Sequence, residues 1–146
     1  MNPADGRVVS NFILQALRGE EMTVYGDGSQ TRSFQYIHDL VDGLILLMNS
    51  NETRPVNIGT AEEYTVLDFA KTVRDIVEKV KREDGAKDVP RVEIVHKEMP
   101  VDDPQKRRPD TTRAKETLDW SPRWPVPAGL EEMIRYYAAK LAEGSI

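Results

Sequence analysis

The sequence predicts a mixed α/β chain forming one domain, on three observations. Apolar residues recur at helical spacing in four stretches, near positions 9–17, 40–48, 66–80 and 130–141. Short runs of strand character lie between them, notably Thr23-Val24-Tyr25 and Val92 to Val95, bounded by Gly, Pro and charged residues. The length, 146 residues with 39% hydrophobic content, suffices for one core.

Residues 1–6 read as a loop punctuated by Pro3 and Gly6. Val9, Phe12, Ile13, Ala16 and Leu17 form the inner face of a first helix, with Gly19 as its C-terminal cap. A strand at Thr23-Val24-Tyr25 then meets the turn Gly26-Asp27-Gly28, whose glycines supply the positive-φ positions of a tight reversal. The alternation around Phe34 and Tyr36 predicts a second strand. Leu40, Val41, Leu44, Ile45, Leu47 and Met48 predict a helix apolar over a wide face and hence well buried. His38 and Asp39 start that helix. Residues 49–54 are a polar loop, and Pro55-Val56-Asn57-Ile58-Gly59 reads as a short strand ending in a turn.

Thr65 and Asp68 form an N-terminal capping pair for the clearest helix, whose face runs Val66, Phe69, Ala70, Val73, Ile76, Val77 and Val80 and ends near Arg82. Residues 83–90 are a charged surface loop, Val92, Ile94 and Val95 a strand, and residues 99–109 an irregular Pro-rich loop. Asp110 caps a short helix carrying Ala114 and Leu118. Trp120 and Trp124 pack in a Pro-rich crossing. Pro127 suits the first turn of a closing helix with Leu130, Met133, Ile134, Tyr137 and Leu141 inside.

Bulk chemistry narrows the function. Twenty Lys and Arg against 25 Asp and Glu give a net charge of -5, with no basic stripe, which argues against a nucleic-acid partner. The absence of Cys excludes disulfides and thiolate chemistry, and two His do not make a structural zinc site. No apolar run reaches the length of a membrane span, so the chain is expected to be soluble. Arg32, just after the Gly-rich turn, can fork onto a phosphate with two parallel donors; the plainer reading is a surface Arg on a hairpin.

Four segments in order resemble the sugar-nucleotide-modifying branch of the extended short-chain dehydrogenases, the NAD-dependent epimerase/dehydratase family. They are Asp5-Gly6-Arg7-Val8-Val9-Ser10-Asn11-Phe12, the stretch from Thr23 to Leu40, Pro55-Val56-Asn57-Ile58-Gly59, and Asp102-Asp103-Pro104-Gln105-Lys106-Arg107-Arg108-Pro109-Asp110. The second and fourth are similar to the UDP-glucuronate decarboxylases, while the third is shared with epimerases and dehydratases. The family's Gly-rich pyrophosphate turn and its Tyr-x-x-x-Lys pair are missing. Tyr136 and Lys140 have the spacing but stand on the closing helix, outside the motif position. The expected fold is therefore the C-terminal substrate-binding part of such an enzyme, residues 1–146, with the N-terminal Rossmann core missing.

The resemblance implies an enzyme that uses NAD to oxidise C4 of UDP-glucuronate, after which the β-keto acid loses carbon dioxide and the ketone is reduced to UDP-xylose. It implies that Arg107 is catalytic, beside the sugar carboxylate, against the plainer reading of Lys106, Arg107 and Arg108 as a solvated charge run. It assigns Tyr25, Gln30, Arg32 and Asn57 to the UDP-sugar and Arg7 to the NAD, which the missing part holds in the main. It implies a homodimeric parent enzyme and leaves the compartment open between cytoplasm and Golgi lumen. Two rivals stay open: a UDP-sugar epimerase or 4,6-dehydratase, and a non-enzymatic fragment that pairs with a full-length subunit.

Overall fold

Three amphipathic helices wind their apolar stripes into one core. They are α1 (Val8–Arg18), α3 (Val66–Glu83) and α5 (Val126–Ala142). Phe12, Ile13 and Ala16 of α1, Phe69, Val73 and Val77 of α3, and Leu130, Ile134 and Tyr137 of α5 are all buried together, as the helical spacing demands. The computed structural model describes residues 7–98 and 104–146; the expected loop at 1–6 and the first half of that at 99–109 lie outside them.

The caps follow the sequence. Gly19 ends α1 in the left-handed region. Thr65 accepts the Asp68 N–H at 3.0 Å and its hydroxyl donates back to the Asp68 carboxylate at 2.8 Å, closing the start of α3. Pro127 sits in the first turn of α5. The short helix α4 (Thr112–Leu118) differs: its N-cap residue is Thr111 rather than the expected Asp110, which stands one residue earlier and accepts the Thr112 N–H on its carboxylate at 2.9 Å. The charged loop after α3 is mostly exposed, as expected.

The strands are short and form two small sheets. β1 (Met22–Tyr25) pairs in parallel with β4 (Ile94–Lys97). β2 (Thr31–Arg32) lies between β3 (Tyr64–Thr65), antiparallel, and β5 (Lys106–Arg107), parallel. Gly26 and Gly28 both take positive φ between β1 and β2, as the turn requires.

Four expectations about strands and loops are corrected, and a fifth about α2. The strand expected around Phe34–Tyr36 is irregular backbone. Its alternation reflects two separate contacts: Phe34 stacks on Phe69 at 3.7 Å between ring centroids, and the Tyr36 ring lies against Gly129. The segment at 55–59 forms no ladder, because no described strand runs beside it. The strand expected at 92–95 begins two residues later, and the expected irregular loop before Pro109 contains β5.

The largest correction concerns α2 (Ile37–Met48), expected to be well buried. Only Asp39 and Gly43 of this helix are buried. Leu47 packs toward a small cluster of Ala114, Leu118 and Trp120. Ile37, Val41, Leu44, Ile45 and Met48, at i, i+4, i+7, i+8 and i+11, form an exposed apolar stripe. Apolar composition signals a surface that seeks cover, and the described residues cover one side only. Such stripes drive association. The chain is therefore expected to sediment as oligomers at micromolar concentration, and Val41→Lys with Ile45→Glu to return it to monomer. A clean wild-type monomer with a sharp, reversible thermal transition is the contrary result.

Candidate functional site

A cleft of about 920 Å³ opens where the β3-β2-β5 sheet meets α1, α3 and α5. Its lining includes the first residues of α1, the segment from Arg32 to Tyr36, Gly59 and Thr60, the run from Lys106 to Pro109, and Val126, Gly129, Leu130 and Met133 of α5. Two glycines keep it open. A Cβ on Gly129 would stand 2.8 Å from the Tyr36 ring, and one on Gly59 2.8 Å from the Pro109 ring.

The electrostatics of this cleft oppose those of the chain. Among the described residues, Arg7, Arg32, Lys106, Arg107 and Arg108 line it and no Asp or Glu does, although the chain carries a net charge of -5. Glu63, outside this lining, stands 3.9 Å from Lys106 and 3.6 Å from Arg108, and a concave surface lined by cations attracts an anionic ligand. Two of the cations are brought side by side by the sheet. Arg32 and Arg107 are register partners across the parallel pair β2–β5, with strands roughly 4.8 Å apart. The Arg32 guanidinium donates to the carbonyls of Thr31 and Pro104, both at 2.7 Å, which fixes it at the β2–β5 junction. Arg107 is exposed.

Arg7 is the N-cap residue of α1, and its carbonyl accepts from Ser10 Oγ and the Asn11 N–H, each at 3.0 Å. Among the described residues no side chain caps this helix end and no acidic residue stands in its first turn, and its first residues, Val8 and Val9, line the cleft. Ser33 Oγ and Gln35 Nε2, on two lining residues, are buried without a hydrogen-bond partner among the described residues. Both suit the hydroxyl groups of a sugar.

The other expected site residues do not line this cleft. Tyr25 ends β1 and is 45% exposed. Gln30 is buried and its Nε2 donates to the Tyr25 carbonyl at 3.0 Å, tying the turn to β1. Asn57 is exposed and donates to the Asp110 carbonyl at 3.0 Å, joining the 55–59 segment to the approach of α4. The nearby Asp110 carboxyl is held below its ordinary value by hydrogen bonds from Thr112, with Arg108 and Arg113 adding to the effect. Lys140 pairs with Glu143 at 2.7 Å, so the Tyr136–Lys140 spacing belongs to the surface of α5. Ser33, Gln35, Leu130 and Met133 are cleft residues that sequence reasoning missed. Leu130 and Met133 carried the same periodic signal as core positions, and nothing in the sequence separates a cleft wall from a core.

Among the described residues no helix is long and apolar enough to cross a membrane, and no cluster of potential metal ligands occurs.

Comparison with known proteins fits this geometry. The model of a family described as GDP-mannose 4,6 dehydratase matches residues 3–133. UDP-glucuronic acid decarboxylase 1 of Danio rerio is 50% identical over 97% of this chain and 31% of its own length. UDP-glucuronic acid decarboxylase 3 of Arabidopsis thaliana is 46% identical over 97% of this chain and 38% of its own length. The chain thus spans about a third of the length of these relatives. Among solved structures, UDP-glucose 4-epimerase of Thermotoga maritima with UDP-glucose aligns with a TM-score of 0.82 at 31% identity, over 96% of this chain and 42% of that one. UDP-glucuronic acid 4-epimerase of Bacillus cereus, in complex with UDP-glucuronic acid and NAD, aligns with a TM-score of 0.74 at 25% identity, over 93% of this chain and 40% of that one.

Proposed function

The chain belongs to the GDP-mannose 4,6-dehydratase family, and from that premise we propose that it is the UDP-sugar-binding part of a UDP-glucuronate decarboxylase. The observation that carries this reading is the row of Arg32 and Arg107 in register beside a cleft whose charged lining, among the described residues, is cationic. UDP-glucuronate is anionic at both ends, at the diphosphate and at the sugar carboxylate. Arg32 takes the diphosphate, where a rigid guanidinium can offer paired donors. Arg107 takes the carboxylate and, as carbon dioxide leaves, steadies the negative charge that moves onto the sugar. The identity to UDP-glucuronic acid decarboxylases supports the decarboxylase assignment. A UDP-sugar 4-epimerase is the second reading, favoured by the fold likeness to the Thermotoga maritima epimerase.

The described residues do not fit the main cradle of NAD. A dinucleotide pyrophosphate needs a Gly-rich turn between strand and helix and a free helix N-terminus. Here the start of α3 is closed by its own Thr65–Asp68 pair, and β2 reaches α2 through Ser33, Phe34, Gln35 and Tyr36 without a glycine. We assign NAD in the main to the part of the longer relatives that this chain does not span, with Arg7 reaching toward it from the cleft.

Calorimetric titration of the chain tests both assignments. UDP-glucuronate is expected to bind more tightly than UDP-glucose, and NAD not to bind tightly. No carbon dioxide is expected when NAD and UDP-glucuronate are added together. A preference for UDP-glucose favours the epimerase. Absence of UDP-sugar binding overturns the proposal, and steady carbon dioxide release overturns the assignment of NAD elsewhere.

A further inference from the structure

Alternation along β5 divides the run Lys106-Arg107-Arg108 between the two faces of its sheet. Lys106 and Arg108 share one face with Thr31, the register partner of Lys106. Arg107 shares the other with its own partner Arg32. Among the described residues, one carboxylate serves the first face. Glu63, next to β3 and with its side chain 18% exposed, accepts the Thr31 hydroxyl at 2.7 Å and stands 3.9 Å from Lys106 Nζ and 3.6 Å from Arg108 Nη1. It thereby touches β2, β5 and the residue after β5 at once. The ladder joining β2 to β5 is only two residues long on each strand, so each side-chain tie adds to a small number of bonds that hold it, among them the Thr31 N–H on the Gln105 carbonyl and Arg32 on that of Pro104.

We propose that Glu63 is a positioning residue: by holding Thr31, Lys106 and Arg108 on one face, it fixes the roll of β5 and keeps Arg107 beside Arg32 for the sugar carboxylate. This rests on the assignment of Arg107 given above. Position and charge predict opposite signs, which makes the idea testable. Deleting a negative charge near a cationic cleft strengthens the binding of every anion by Coulomb's law alone. Loss of register weakens only the ligand that needs Arg107.

The test is titration of the chain and its variants with UDP-glucuronate and UDP-glucose. Glu63→Gln keeps an acceptor for Thr31 and removes the charge. It is expected to lower UDP-glucuronate affinity by about tenfold while UDP-glucose affinity stays the same or rises slightly. Adding Glu63→Gln to Arg107→Ala is expected to cost nothing more. Should Glu63→Gln not fold, Thr31→Val removes the same tie from the other strand and is expected to lose the same preference. Tighter or unchanged UDP-glucuronate binding overturns the inference and leaves the proposed function standing. Equal loss for both ligands, or a further loss on top of Arg107→Ala, also overturns it. A wild-type chain without preference for UDP-glucuronate overturns both.

Discussion

Joined to the segment that the longer relatives carry and this chain does not span, Arg107→Ala is expected to lower kcat for carbon dioxide release by about 30- to 900-fold. That range is a barrier increase of ~2–4 kcal/mol, the cost of removing one preorganised donor from developing charge. The asymmetry between the two register partners gives the prediction its content. Arg32, held by two backbone carbonyls at 2.7 Å, is assigned to phosphates whose charge is the same in substrate and transition state. Its loss is therefore expected to raise KM and leave kcat nearly unchanged. Arg107 is assigned to the carboxylate whose charge moves as the bond breaks, so its loss is expected to fall on kcat. Arg107→Lys is expected to recover only part of the rate, because an ammonium is a point charge without the planar fork. If Arg107→Ala moves only KM while Arg32→Ala abolishes kcat, the two roles are exchanged. If neither matters, both are solvated surface charges.

The helical frame was legible because burial follows a period. Phe12, Ile13 and Ala16, or Phe69, Val73 and Val77, declare their common face in the sequence and keep it in the core. The Thr65–Asp68 cap was legible because both partners lie within one turn. What a periodic pattern does not state is what covers it, and α2 shows this. Its stripe of Val41, Leu44, Ile45 and Met48 is as apolar as a core helix, yet it is exposed. The segment at 55–59 fails as a strand for a related reason, since a strand exists only through its partner.

The cleft was legible in part. Arg7, Arg32 and Arg107 stood out by motif, and all three line it. Tyr25, Gln30 and Asn57 stood in the same motifs, but their described hydrogen bonds join neighbouring backbone, with Gln30 on the Tyr25 carbonyl and Asn57 on that of Asp110. A motif preserves a local shape as well as a ligand contact, and sequence does not separate the two. The division of the Lys106-Arg107-Arg108 run is legible only once β5 is paired, because Glu63 lies more than forty residues away in sequence.

Asp39→Ala is expected to cost ~3 kcal/mol of stability, a large share of the ~5–15 kcal/mol typical of a folded domain. Asp39 reads in the sequence as a helix-start residue, and it does stand in the first turn of α2, where negative charge suits the helix dipole. The larger effect comes from partners over eighty residues away. The side chain is 2% exposed, and its two carboxylate oxygens accept the N–H groups of Arg123 and Trp124, each at 3.0 Å. Its own carbonyl accepts the Trp120 indole N–H at 3.2 Å. One residue thus fixes the Pro-rich crossing before α5 against α2. Alanine leaves two part-buried donors unmet, at ~1–3 kcal/mol each before relaxation and water entry recover some of it. Asn keeps one acceptor oxygen but turns an NH₂ toward the second donor, so Asp39→Asn is expected to cost ~2 kcal/mol. The damage should also travel to the cleft. Trp124 packs on Tyr36 at 4.5 Å between ring centroids, and Tyr36 lines the cleft against Gly129. UDP-glucuronate and UDP-glucose should therefore both bind more weakly in Asp39→Ala, with the preference between them kept. Urea unfolding in the Val41→Lys, Ile45→Glu background, where association is suppressed, measures the stability term. A loss below ~1 kcal/mol, within the range of ordinary surface substitutions and their neighbours, means that the crossing is held by Trp120 packing without the carboxylate. Equal costs for Ala and Asn mean that the charge of Asp39, rather than its acceptor geometry, is what the fold uses.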